Sequence, residues 1–211
     1  MKIKSVPVLV VLTILSNFSA QADSSFFVAP SFRGLVGTEY SGWENFTNAL
    51  NAPNYPHLPG STGDAFIRQT TPGAFVTPNI YSFSSTNTFV LTDATPFTLG
   101  TVNFQVRNGA GTVPFDYSSV RLEYDNGSGL QSLFTTRTEW NNTSGGIASQ
   151  WSWDVSSLGI NNYKIYFNAS DLSLSLDAAA LDTQVVPEPA TGALLGFGLM
   201  LFGERVWGRR A

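Results

Sequence analysis

Of 211 residues only 12% are charged, against roughly 25% in a typical soluble domain, and none is cysteine. The net charge of −4 is unevenly placed: with Lys2, Lys4, Glu188, Glu204, Arg205, Arg209 and Arg210 set aside, residues 23–185 hold thirteen acids and six bases. Such a body excludes a nucleic-acid backbone as partner, because neutralising phosphates requires clustered Lys and Arg, and the lack of thiols excludes disulfides and cysteine chemistry.

Lys2 and Lys4 precede an apolar run over 6–18, which leads to Ala20-Gln21-Ala22. Small residues at Ala20 and Ala22 are what signal peptidase reads, so 1–22 is expected to be a cleaved secretory signal, with the mature chain starting at Asp23. The run is too short for a stable membrane span.

From there to Val185 the pattern changes to short alternating segments separated by Gly, Pro, Asn and Ser, which predicts an all-β body. Over 101–107, Val102, Phe104 and Val106 take one face and Asn103, Gln105 and Arg107 the other, so one face is expected buried and the other wet. The strand over 119–125 repeats this with Val120, Leu122 and Tyr124 inward, and Asp125-Asn126-Gly127-Ser128-Gly129 supplies a hairpin turn into 130–138. Further strands are expected at 42–46, 64–70, 79–84, 88–92, 150–155, 162–169 and 172–179, with long loops over 48–63 and 70–78. Many short strands without any 3.6 period favour a single β-sandwich, jelly-roll-like, over residues 23–185.

No catalytic residue is assigned. His57, the single histidine, lies in Asn54-Tyr55-Pro56-His57-Leu58-Pro59, an irregular loop, and no Gly-x-Ser-x-Gly elbow or His-Glu-x-x-His pair accompanies it. Glu39, Glu44, Glu123 and Glu139 could furnish a glycosidase pair only if the fold brought two of them across a cleft. Calcium is the one cofactor with candidate ligands, Asp177 and Asp182, which flank Ala178-Ala179-Ala180-Leu181, although no Asp-x-Asp-x-Asp-Gly loop is present. Among the tryptophans, Trp151 and Trp153 share a strand face with Val155 and read as core, and Trp43 as an anchor for the N-terminal segment. Trp140, before the polar turn 141–146, is the candidate glycan-stacking platform. Asn-x-Ser/Thr triplets such as Asn45-Phe46-Thr47 are expected by chance in a chain this rich in Asn and Ser.

The last stretch is an address. Val186-Pro187-Glu188-Pro189 breaks the preceding structure, an apolar run over 190–202 can start as a helix, and Arg205, Arg209 and Arg210 stay cytoplasmic by the positive-inside rule. Thirteen helical residues rise about 20 Å against a hydrocarbon core of roughly 30 Å, so the span is marginal and suits a temporary stop. This string resembles the PEP-CTERM sorting signal of exopolysaccharide-producing Gram-negative bacteria. The resemblance implies that 186–211 is a sorting signal with a short transmembrane helix. Pro187, Glu188 and Pro189 would be the motif recognised by an exosortase, and Arg205, Arg209 and Arg210 the retention cluster, here interrupted by Glu204 and the Trp207-Gly208 pair. It further implies transient inner-membrane anchoring, then delivery to the cell surface or matrix, with a structural, adhesive or weak glycan-binding role in exopolysaccharide or biofilm. The alternative is a secreted glycan hydrolase using two carboxylates. Replacing Glu188 and both flanking prolines is expected to leave the protein exported but unprocessed, seen on a blot as a heavier membrane-bound species; unchanged processing would remove the exosortase from the account.

Overall fold

Alternating side chains make strands here wherever a Gly-, Asn- or Pro-rich stretch lets the chain turn back. The computed structural model describes residues 26–143 and 145–186, and of 139–143 the backbone alone. The expected signal peptide with Ala20 and Ala22 lies outside the described residues, as does the tail with Pro187, Glu188, Pro189, Arg205, Arg209 and Arg210. Among the described residues there are twelve strands and no helix: β1 (Thr38–Trp43), β2 (Phe66–Gln69), β3 (Phe75–Val76), β4 (Ile80–Tyr81), β5 (Thr88–Ala94), β6 (Leu99–Asn108), β7 (Phe115–Asp125), β8 (Leu130–Phe134), β9 (Glu139–Thr143), β10 (Gly146–Asp154), β11 (Asn162–Ala169) and β12 (Ser175–Val185).

They form two antiparallel sheets, as expected of a sandwich. One runs β3-β4-β12-β6-β10-β9, with β1 also paired to β12; the other runs β2-β5-β11-β7-β8. Between them lies one core, built from Phe104, Trp151, Leu176 and Leu181 on the first sheet and Phe89, Leu91, Leu122 and Phe167 on the second. Phe167 is its hub, with its ring centroid 5.0 Å from both Phe104 across the sandwich and Phe89 beside it. Trp151 and Trp153 are core residues, as their parity predicts. Trp43 also lies in this core, and its indole N–H donates to the Asn54 carbonyl at 3.0 Å; it anchors the long loop after β1 rather than the N-terminal segment.

The main departure from expectation is the outer face of the first sheet. Asn103, Gln105 and Arg107, expected in water, are each at most 4% exposed. The cover is the irregular segment before β1. The Val28 N–H donates to Gln105 Oε1 at 3.0 Å and Gln105 Nε2 donates to the Val28 carbonyl at 2.9 Å, so one side-chain amide imitates a ladder rung. Phe27 fills a second, smaller cluster with Tyr40, Ala148, Ala178 and Ala180. Arg33 reaches through to Asp182, its Nε donating to Oδ1 at 2.5 Å and its Nη2 to Oδ2 at 2.8 Å, while its guanidinium lies 4.0 Å over the Tyr40 ring. Arg107 pairs with Asp177 and stacks 4.0 Å over Phe26.

The strand expected to end at Ala179 continues to Val185, because β1 and β6 pair with it on either side, and the small side chains of Ala178 and Ala180 pack with Phe27 of the cover. The chain expected to continue as one strand over 130–138 instead leaves the second sheet after Phe134 and re-enters the first as β9.

The Arg33–Asp182 pair is shielded on both sides, with side-chain exposures of 5% and 0%. Removing one partner strands a buried charge, so Asp182→Ala is expected to cost about 3–5 kcal/mol in denaturant unfolding, whereas Arg33→Met with Asp182→Leu recovers most of the loss.

Candidate functional site

From Thr70 to Thr92 no residue is charged. Within this stretch β3 and β4 pair antiparallel, Phe75 opposite Tyr81 and Val76 opposite Ile80. Ile80 points into the core, so Phe75 and Tyr81 share the outer face. Ser82 is buried, and its hydroxyl accepts from the backbone N–H of Ser85 at 3.0 Å and of Ser84 at 3.3 Å. That turn leaves Phe83, two residues after Tyr81, on the same side as Tyr81. The three rings meet: Phe75 to Tyr81 at 5.5 Å, Phe75 stacked on Phe83 at 5.6 Å, and Tyr81 edge-on to Phe83 at 4.3 Å. Phe83 is 66% exposed and Phe75 40%. A contiguous exposed aromatic surface is uncommon on a soluble domain and usually marks a contact site.

The outer face of the second sheet also carries aromatics, in a different setting. Across neighbouring strands, Arg68, Val90, Tyr166, Arg121 and Phe134 stand in register. The Arg121 guanidinium lies 4.6 Å from the Tyr166 ring and Arg68 lies 4.5 Å from Phe66, so cations already occupy those ring faces. Arg121 also donates to Glu123 at 2.7 Å. A groove of about 290 Å³ opens beside them, lined by Thr92, Glu123, Lys164 and Tyr166 among others. Between the two faces, the β3–β4 trio is the better stacking surface, because its rings touch one another and no cation covers them among the described contacts.

The residues nominated from sequence are dispersed. Asp182 is bound to Arg33; Asp177 sits in a bulge of β12, paired with Arg107 and accepting from Asn79 Nδ2 at 2.7 Å. Five residues along one strand separate the two by about 16 Å, too far to share an ion. Among the described residues no three His, Cys, Asp or Glu side chains come together as a metal-holding group. His57 is exposed in its loop and lies 3.4 Å from the Glu44 amide. Glu39 and Glu123 belong to different sheets. Trp140 is in β9, opposite Ser149 of β10, at the edge of the first sheet remote from β3; its side chain, like that of Glu139, lies outside the described residues.

One acidic group escapes the sequence reading. Asp93 follows Phe89 and Leu91 on the inward face of β5 and is only 4% exposed. Its Oδ2 accepts from the Tyr163 hydroxyl at 2.8 Å, while Oδ1 has no hydrogen-bond partner. Burial pushes the Asp93 carboxyl up and the Asp64 charge adds to it, while hydrogen bonding to Tyr163 and to the Ala94 backbone opposes this in part. Glu39 is raised in turn by burial and by the charges of Asp93 and Asp64. Burial and the adjacent carboxylate raise the Tyr163 phenol well above its usual range. Strict alternation would have flagged Asp93 as a charge at a core position; the expected strand stopped one residue short of it.

The last described residues define how the body meets its tail. The Val185 N–H donates to the Gly37 carbonyl at 2.9 Å and the Val186 N–H to the Thr98 carbonyl at 2.8 Å. Gly37 has φ of +76°, and a Cβ there would press on Val185 Cγ2. Fold and tail thus define an all-β domain whose central strand runs directly into a C-terminal signal. Residues 185–210 match the PEP-CTERM protein-sorting motif, so the chain carries an exosortase-sorting signal and is exported, anchored transiently and sorted to the cell surface. No curated protein matches the chain.

The carboxyls at Asp93 and Glu39 hold protons more tightly folded than unfolded. Their stabilising contribution is complete below the unfolded carboxyl range, near pH 4, and is lost as pH rises through the raised folded values. Asp93→Asn, which keeps an acceptor for Tyr163, is expected to raise the melting temperature at pH 7, with the gain over wild type shrinking toward pH 4 in melts recorded across that range.

Proposed function

We propose that this exported protein is a structural and adhesive component of the surface or exopolysaccharide matrix of a Gram-negative bacterium, and that it holds neutral glycan on the Phe75, Tyr81 and Phe83 rings. Sugar rings stack their C–H faces on exposed aromatic rings, and the uncharged hydroxyl- and amide-rich surroundings between Thr70 and Thr92 suit a neutral, hydroxyl-bearing ligand. The observation that carries this reading is where the trio sits relative to the tail. Tyr81 pairs with Ser175 at the start of β12, and the sorting motif begins at Val185, its last residue. Ten residues of extended strand place them roughly 33 Å apart. An anchored domain would therefore hold its aromatic surface away from the membrane.

Hydrolysis through paired carboxylates has less support, because Glu39 and Glu123 lie on different sheets and Glu123 is tied to Arg121. Trp140 remains a second proposed glycan contact, at the opposite edge of the same sheet. The full chain is to be titrated against exopolysaccharide from an exosortase-bearing bacterium, beside Phe75→Ala with Phe83→Ala and beside Trp140→Ala. Loss of about thirtyfold in affinity is expected for the double variant, since each of the two stacking contacts removed is worth on the order of 1 kcal/mol. Binding unchanged in that variant would overturn the role of the trio, and loss confined to Trp140→Ala would move the site to β9.

A further inference from the structure

Sheet edges present unpaired backbone groups, and soluble proteins usually protect them with charge, proline, bulges or a covering loop. Three edge strands here follow that rule or are cut short, and a fourth, β9, begins with the charged Glu139. The free side of β2 is met by the chain at Asn51 and Asn54, which bond to Gln69 and Ile67. The free side of β1 is met by His57, Leu58, Thr62 and Gly63, whose N–H groups reach the carbonyls of Gly42 and Tyr40. β3 is two residues long. β8 has none of these devices: among the described residues its only strand neighbour is β7, and from Asn126 to Thr136 there is no charge and no proline.

Its side chains fit an open edge that expects company. Leu133 packs against the core and its carbonyl accepts from the Trp153 indole at 3.3 Å, which ties the strand to the first sheet. Leu130 and Phe134, on the other face, are 69% and 66% exposed. The sequence Leu130-Gln131-Ser132-Leu133-Phe134 is also self-complementary. If a second copy pairs antiparallel about a two-fold axis at Ser132, Leu130 falls opposite Phe134 of the other copy, and the same contact repeats on the far side of the axis. Aliphatic–aromatic cross-strand pairs of this kind stabilise antiparallel ladders, and an isologous contact of this sort closes on itself.

We infer that β8 is a self-association edge, through which two copies of the protein join their five-stranded sheets into one continuous sheet. Five residues a side make a contact smaller than the roughly 1,600 Å² of a standard interface, so it is suited to copies crowded on a surface rather than to dilute solution.

The absence of native cysteine makes the test direct. Directly opposed residues in an antiparallel pair have Cα atoms about 4.5–5.5 Å apart, within disulfide reach. The full chain carrying Ser132→Cys, expressed in cells and oxidised mildly, is expected to run as a disulfide-linked homodimer on a non-reducing gel, whereas Ser128→Cys, in the exposed turn and away from the axis, is not. Adding Leu130→Lys and Phe134→Lys to Ser132→Cys should lower the dimer about tenfold through charge at the junction. Both sites are exposed, and unchanged protease resistance will confirm that the domain is still folded. Monomer alone, equal cross-linking at Ser128→Cys, a dimer insensitive to the two lysines, or a conjugate with a different protein would each overturn the inference.

Discussion

Everything in the first sheet depends on keeping both faces of β12 dry. Its inner face is closed by the common core, as in any sandwich, but its outer face is closed by a segment with no regular structure of its own. Irregular chain makes a poor lid because it has few repeating contacts. The fold compensates with discrete polar fasteners, Arg33 on Asp182 and Gln105 on Val28, set among small alanines that admit Phe27. Ion pairs under such cover seldom add much net stability over a well-packed apolar substitute, but they tolerate only one docking geometry. We regard the pair as a device for fixing where the segment lies, while the apolar contacts around Phe27 supply the attraction.

That arrangement also shows how far the sequence could be read. The strands near 88–92, 101–107, 119–125 and 162–169 and the inward set Val102, Phe104 and Val106 were plain from alternation, since a two-residue period is dictated by backbone geometry alone, whereas the first strand lies at Thr38–Trp43 rather than at the expected 42–46. What alternation could not reveal was the environment of Asn103, Gln105 and Arg107, because the cover comes from a stretch without periodicity. Asp177 and Asp182 looked like free ligands for the same reason: an alanine run has low strand propensity, and nothing local announces that an arginine about 150 positions earlier in the chain will claim Asp182. Tyr81 and Phe83 fall on one face of the strand expected at 79–84, but their meeting with Phe75 required β3, which lies in the stretch 70–78 expected to be loop. The sorting signal was legible because it is read by another protein as a linear string and needs no fold to be recognised.

The two ends of the sandwich are chemically unlike. Near Ser175 the surface is aromatic, and its nearest charges, Asp177 and Arg107, are paired with each other; near Val185 it holds Glu39, with Asp93 buried between the sheets. The domain thus has two chemically distinct ends, although its strands run in both directions and its topology is otherwise without obvious polarity.

The junction at Val185 has a mechanical meaning as well. β12 is bonded along one side to β6 and along the other to β1 and β4. Tension applied at Val185 along the strand would load these ladders in shear, many hydrogen bonds bearing it together, rather than unzipping them one at a time as it would on an edge strand pulled sideways. A domain gripped at its aromatic end and tethered at Val185 would be pulled along its most extensively bonded strand.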